Sequence, residues 1–137
     1  MEKGHSNSEF AVCRDCTCSA LRRASRAVTQ HFERSFRGTG LRATQFSLLS
    51  TLALTGPVPL SGLAAKIGAE RTTLSRGLKL LSKRGLIRLN STNADQRVHR
   101  IELTPAGHAA ARKALPAWRR AQDGVGPILK RLNLKLS

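Results

Sequence analysis

The stretch from Leu60 to Pro105 constrains the fold most, because its residues sort by face. With Leu74 as reference and 100° per residue, Leu74, Leu78 and Leu81 fall on one stripe of a helix. Thr72, Arg76, Lys79 and Lys83 fall on the opposite stripe. One face can bury, and the other is short, polar and cationic. The preceding segment, Leu60-Ser-Gly-Leu-Ala-Ala-Lys-Ile-Gly68, has apolar residues at 60, 63, 64 and 67 and then a glycine stop. After the basic helix, Gly85 is placed for a left-handed cap. Ile87 and Leu89 then alternate with Arg88 and Asn90, and Ile101 and Leu103 alternate with Arg100 and Glu102. Two period-2 segments joined by Ser91-Thr-Asn-Ala-Asp-Gln-Arg97 make a hairpin with one buried face.

A basic helix face taken alone is usually just a solvated face. Here a short helix, a tight turn, a basic helix and a hairpin follow one another. That order is a helix-turn-helix with a wing, and its basic helix suits the major groove of DNA. Composition points the same way. The net charge is +16, from 24 Lys and Arg against 8 Asp and Glu, in 137 residues. Such a charge implies a polyanionic partner. A membrane surface is disfavoured: there is no run of the ~18 apolar residues a span needs, and no aromatics interleave the basic stretches. With four Phe, one Trp and no Tyr, single-strand binding by base stacking is disfavoured too. The N-terminus has no secretory pattern, so a cytoplasmic, DNA-associated protein is expected.

The length supports one domain. Residues 1–12 are polar and are expected to lack structure. A long helix is predicted from about Asp15 to Phe36, with Cys18, Leu21, Ser25, Val28, Phe32 and Phe36 on one stripe. A second is predicted from about Ala43 to Leu54, with Phe46, Leu49, Leu52 and Ala53 on its face. Gly56-Pro-Val-Pro59 is a connector that cannot be helical. Thr104 is a good N-cap with Pro105 at the first helical position of a helix running to about Gln122. Gly124-Val-Gly-Pro127 breaks it, and a last helix carries Val125, Ile128, Leu129, Leu132 and Leu136 on one stripe. A monomer of this size does not cover both that stripe and the stripe of the first helix.

Ser61 to Gly107 resembles the winged helix-turn-helix of the MarR family of bacterial transcription regulators. The resemblance rests on Asp95-Gln-Arg97 followed by Leu103-Thr104-Pro105-Ala-Gly107, and on Arg71-Thr-Thr-Leu-Ser-Arg76 followed by Lys83-Arg-Gly-Leu-Ile87. More loosely, it extends from about Cys16 to the C-terminus. It implies a mostly α fold with a small β-hairpin wing, in which 41–104 reads DNA and 13–40 and 105–137 are dimerisation helices. It further implies a homodimer on a pseudo-palindromic double-stranded operator, with repression as the default. The DNA-contact candidates are Ser61, Arg71, Thr72, Thr73, Ser75, Arg76, Lys79, Lys83, Asp95, Arg97, His99 and Arg100. Among them Arg76 is the base reader, since arginine pairs bidentately with guanine, while Lys79 and Lys83 suit phosphate. By resemblance, Arg97 enters a minor groove and Asp95 braces the wing; narrow A·T-rich grooves attract arginine. His99 and Arg100 would add phosphate contacts.

Cys13, Cys16 and Cys18 leave three readings open. Cys18-Ser-Ala-Leu-Arg-Arg resembles the first helix of the peroxide-sensing branch of that family, which implies that Cys18 is an oxidisable thiol. Alternatively, C-x-x-C-x-C offers three soft ligands for a metal or metalloid, provided the segment before Cys18 is unwound or the partner subunit supplies ligands. The third reading is a buried, apolar Cys18 beside two inert thiols. No catalytic constellation is present: His5, His31, His99 and His108 are scattered, no glycine-rich phosphate loop follows a strand, and the acids do not pair. The rivals to a sequence-specific regulator are a sequence-independent architectural DNA-binding protein and, within the regulator class, one that senses a small organic ligand.

Overall fold

The computed structural model describes residues 8–91 and 99–132, and of Ser91 and His99 the backbone alone. A 3-10 helix, Ser8–Asp15, precedes α1 (Thr17–Ser35) and α2 (Ala43–Thr55). Strand β1 (Val58–Pro59) leads into α3 (Leu60–Ile67) and α4 (Arg71–Lys83). The hairpin β2 (Ile87–Ser91) and β3 (His99–Leu103) follows, then α5 (Pro105–Gly124) and α6 (Gly126–Leu132). The sheet order is β1-β3-β2, antiparallel throughout. Proline lacks the N–H a central strand needs, so Val58–Pro59 occupies an edge.

The core forms where α2 meets the winged unit and α5. Phe46, Leu48, Leu49 and Leu52 of α2 are buried, along with Leu63, Leu74, Leu78, Leu81, Ile87 and Ile101. The expected face of α2 therefore gains Leu48 and loses Ala53, which is exposed. The reason is that α2 packs on α1, α3, β3 and α5 and is buried on more than one side. On α5 the buried stripe is Gly107, Ala111, Ala114, Ala117 and Ala121, small residues that let a neighbouring helix approach closely.

That alanine stripe decides how α1 sits. Ser35 Oγ donates to the Ala117 carbonyl at 2.8 Å, and His31 Nε2 donates to the Ala121 carbonyl at 2.8 Å. Of the stripe expected to be apolar, Phe36, the C-cap, is buried, and Ala24 is the buried residue of the helix itself. Leu21 is 45% exposed, and Val28 and Phe32 are half-buried. The helix has turned a small and polar face to α5, leaving a partly open apolar flank. The break at Gly124-Val-Gly-Pro127 separates α5 from α6, whose Ile128 and Leu132 are half-buried; Leu136 lies outside the described residues.

The N-terminal region departs from expectation. The 3-10 helix begins at Ser8, inside the segment expected to lack structure, where Phe10-Ala-Val-Cys13 is less polar than the residues before it. It buries no residue. Cys16 then takes an extended conformation, φ −66° and ψ 114°, and starts α1 as its N-cap. The three cysteines therefore do not share one helix.

Candidate nucleic-acid interface

The reading head is built around α4. Gly68 ends α3 at φ 71°, in the left-handed region, which makes the tight turn possible. Glu70 is the N-cap of α4 but makes no side-chain capping bond, so the first-turn N–H groups of α4 are not satisfied by its own cap. At the other end, Leu86 N–H donates to Leu81 O and Gly85 N–H to Ser82 O, both at 3.0 Å. With Gly85 at φ 72° this is a Schellman ending. It turns the chain directly into β2.

Leu74, Leu78 and Leu81 of α4 are 3%, 3% and 0% exposed. On the other face Thr72, Arg76, Lys79 and Lys83 are exposed; Arg71 and Thr73, in the first turn, are exposed too, and Ser75 is half-buried. Ser61 is exposed in the first turn of α3. The helix thus presents one continuous polar, cationic face while its leucines anchor it. Among the described residues the ion pairs are Arg42–Glu33 and Arg88–Glu102, so no carboxylate neutralises Arg71, Arg76, Lys79 or Lys83. Leu80 and Leu89, 55% and 40% exposed, lie beside Arg76, Lys79, Ser82 and Lys83 around a shallow depression. Helical periodicity alone does not single them out, because Leu89 comes from the neighbouring strand.

The wing is braced at its base. Glu102 Oε2 accepts from Asn90 Nδ2 at 2.9 Å and lies 3.8 Å from Arg88 Nη1. Arg100, read from sequence as a phosphate contact, uses Nη2 to donate to the Pro57 carbonyl at 3.2 Å. It ties β3 to the connector before α3, a structural task the sequence does not reveal. His99 pairs with Ser91 in the ladder; its side chain lies outside the described residues, as do Asp95 and Arg97.

Thr104 joins the wing to α5. Its N–H donates to Leu86 O at 3.2 Å, its Oγ1 donates to Gly85 O at 2.6 Å, and its Oγ1 accepts from Gly107 N–H at 3.0 Å. A Cβ at Gly107 would collide with the Leu86 carbonyl. The Thr-Pro-x-Gly run is therefore a packing requirement: only a residue without a side chain fits where α5 starts against the end of α4.

The cysteine segment is open to solvent, with Cys13, Cys16 and Cys18 all exposed. This corrects the reading of Cys18 as a buried apolar residue, because the inward positions of α1 are those of Ala24, His31 and Ser35. Arg22 Nη2 donates weakly to Cys18 Sγ at 3.8 Å. Cys16 is the perturbed thiol. The backbone N–H and the hydroxyl of Ser19, at the start of α1, hold its pKa below the ordinary thiol value, with the Cys18 N–H and Arg22 assisting. Among the described residues no three His, Cys, Asp or Glu side chains converge as a metal site. Between α1, α2 and α5 lies a cavity of about 290 Å³ lined by Val28, Phe32, Phe36, Ala43, Phe46, Ser47, Ser50 and Trp118, among others. Its lining joins the consecutive helices α1 and α2 to Trp118 of α5, far along the chain.

A helix-turn-helix whose second helix shows a cationic face, without an ion pair among the described residues, followed by a braced β-hairpin, defines a winged-helix DNA-reading domain. The MarR family model matches residues 41–99. Among solved structures, the chain is similar to the M. tuberculosis transcriptional regulator MosR in complex with DNA: 44% identity, 85% of this chain and 89% of that one, TM-score 0.71. It is similar to the transcriptional repressor CouR bound to a 23-mer DNA duplex at 26% identity, over 90% and 88% of the two chains, TM-score 0.72. For Bordetella bronchiseptica BpsR, whose DNA binding is regulated by 6-hydroxynicotinic acid, the figures are 26% identity, 77% and 81%, and 0.71. Comparison with curated proteins gives no match. The chain belongs to the MarR family, whose members are DNA-binding transcription regulators that act as dimers. Among the described residues no helix is long and apolar enough to cross a membrane.

Proposed function

We propose that this regulator is a sequence-specific repressor. Each subunit of the dimer sets α4 in the major groove and its wing in the flanking minor groove of a pseudo-palindromic operator. The observation that carries this is the exposed row of Arg76, Lys79 and Lys83, with Arg71 in the first turn, all without an ion pair among the described residues, on a helix anchored by three buried leucines. Arg76 reads a base; Lys79 and Lys83 hold phosphate; Arg97 reaches the minor groove with Asp95 supporting the wing. Ser61, Thr72, Thr73, Ser75 and His99 add polar contacts around them. The protein works in the bacterial cytoplasm, on the nucleoid.

The test separates reading from positioning. Arg76→Ala should weaken operator binding by about 1–3 kcal/mol and relax the sequence preference, whereas Lys83→Ala should weaken all duplexes alike. Equal, sequence-blind losses would remove Arg76 from the reading role.

Two signals have support. The exposed Cys13-x-x-Cys16-x-Cys18 run, with the Cys16 pKa held below its ordinary value by the N–H and hydroxyl of Ser19, supports thiol oxidation or capture of a soft metal or metalloid. The cavity between α1, α2 and α5 supports a small organic effector. Operator affinity measured before and after mild peroxide, As(III), Cu(I) or Zn(II) decides between them. A change that Cys16→Ser abolishes assigns the signal to the thiols. No change under any treatment assigns it to the cavity.

A further inference from the structure

The charge of this protein is not confined to its reading head. On α1, Arg22, Arg23, Arg26 and Arg34 fall within a sector of about 120° at 100° per residue. Ala24, His31 and Ser35, which face α5, lie on the opposite side. All four arginines are exposed. The apolar flank of Leu21, Val28 and Phe32, which suits the partner subunit, adjoins that inward face and lies across the helix from the arginine sector. The carboxylate in the basic sector, Glu33, is engaged by Arg42 at 3.9 Å, and no other ion pair among the described residues involves α1. Next to the sector, α6 adds Lys130 and Arg131, and Arg34 and Arg131 edge a groove of about 200 Å³ floored by Ala27, Ile128 and Leu132. Helix α1 packs on α2, α5 and α6, whereas α4 packs on α3 and β2. The basic face of α1 therefore belongs to the dimer body and not to the reading head.

We propose that the outer face of α1, continued by Arg131 of α6, is a second, sequence-independent binding surface for duplex DNA. With it the dimer holds one duplex by its reading heads and a second along its body. Charge complementarity carries the assignment. From Arg23 to Arg34 the helix rises about 16 Å at 1.5 Å per residue, a length of duplex that carries on the order of ten phosphates at one per 1.7 Å. Guanidinium groups at 23, 26 and 34 repeat along that length, and phosphate contacts need no base-reading geometry. No aromatic side chain lies in the sector, which favours a duplex over a stacked single strand. The surface makes the architectural and the sequence-specific readings compatible, because each would use a different face of one dimer.

The experiment is two-duplex capture. The full-length dimer is loaded on an immobilised operator, obtained by selection, and challenged with a labelled, unrelated duplex. The wild type should retain the second duplex at low salt and release it as salt rises. Arg23→Glu/Arg26→Glu/Arg34→Glu should hold the operator with unchanged affinity and lose the second duplex. The neutral set Arg23→Gln/Arg26→Gln/Arg34→Gln, which keeps good helix formers, should lose it in part. The salt slope of second-duplex release should fall by about 0.9 for each phosphate contact removed. Absence of capture by the wild type, or capture unchanged in both variants, would overturn the proposal. So would retention of double-stranded RNA in preference to DNA. A dimer that selected no operator would contradict the function proposed above instead, and capture between two unrelated duplexes would still decide the second surface.

Discussion

Replacing Thr104 by Val removes a hydroxyl while keeping a β-branched side chain of nearly the same shape. The hydroxyl makes two bonds: it donates to Gly85 O at 2.6 Å and accepts from Gly107 N–H at 3.0 Å. Losing the second is the loss of an N-cap, which costs about 1 kcal/mol. Losing the first leaves Gly85 O without this donor, at a further ~0.5–1.5 kcal/mol. The side chain is only partly buried, so water recovers some of this. The expected sum is about 1.5–2 kcal/mol. Guanidinium unfolding at fixed protomer concentration, which a dimer requires, should show a lower midpoint with an unchanged slope. Thr104→Ser should retain most of the stability, because it keeps both bonds. The joint also orients the wing on the end of α4, so operator affinity should fall more than affinity for random DNA. A loss below about 0.5 kcal/mol for Val, or Ser behaving like Val, would refute the joint.

Three further outcomes follow from the same geometry. Gly107→Ala drives a methyl into the Leu86 carbonyl, a backbone atom that cannot rotate away, and should cost about 3 kcal/mol or more, read as a lowered thermal midpoint or failure to fold. Leu21→Asp places a charge on the open apolar flank of α1 and should give monomers in sedimentation, with operator affinity lost; a stable dimer would show that the partner docks elsewhere. Because the Cys16 pKa is lowered, its thiolate forms earlier as pH rises; alkylation near neutral pH should start at Cys16, and Cys16→Ser should remove the fastest phase. First labelling at Cys13 or Cys18 would contradict the hydrogen bonds from Ser19.

The reading head was legible because its chemistry is periodic. Three leucines at helical spacing, a glycine at each helix end and two alternating segments specify α4, its turn and the wing, and the described residues follow that pattern except at Leu89, expected on the buried face but 40% exposed. The body was harder to read. The stripe of Leu21, Val28 and Phe32 was expected to stay uncovered within one subunit, and it is open or half-buried; that His31 and Ser35 turn to α5 in its place was not legible, because α5 offers alanines and backbone carbonyls rather than large side chains. The unwinding at Cys16 depends on a local N-cap conformation that the C-x-x-C-x-C spacing does not encode. The bond of Arg100 to the Pro57 carbonyl was not legible either, because nothing in sequence reveals a partner 43 residues away. The cavity among α1, α2 and α5 needs the packed helices before it exists.

The most direct test of the central claim is selection of duplexes from a random pool by the purified dimer, followed by competition of the winner against random DNA across a salt series. A sequence-specific dimer should enrich a pseudo-palindrome with half-sites about one helical turn apart, about 10³-fold or more tighter than random duplex. For both, log affinity should fall linearly with log salt, at about 0.9 per phosphate neutralised. A pool that emerges without a consensus, or a winner no tighter than random DNA, would contradict it.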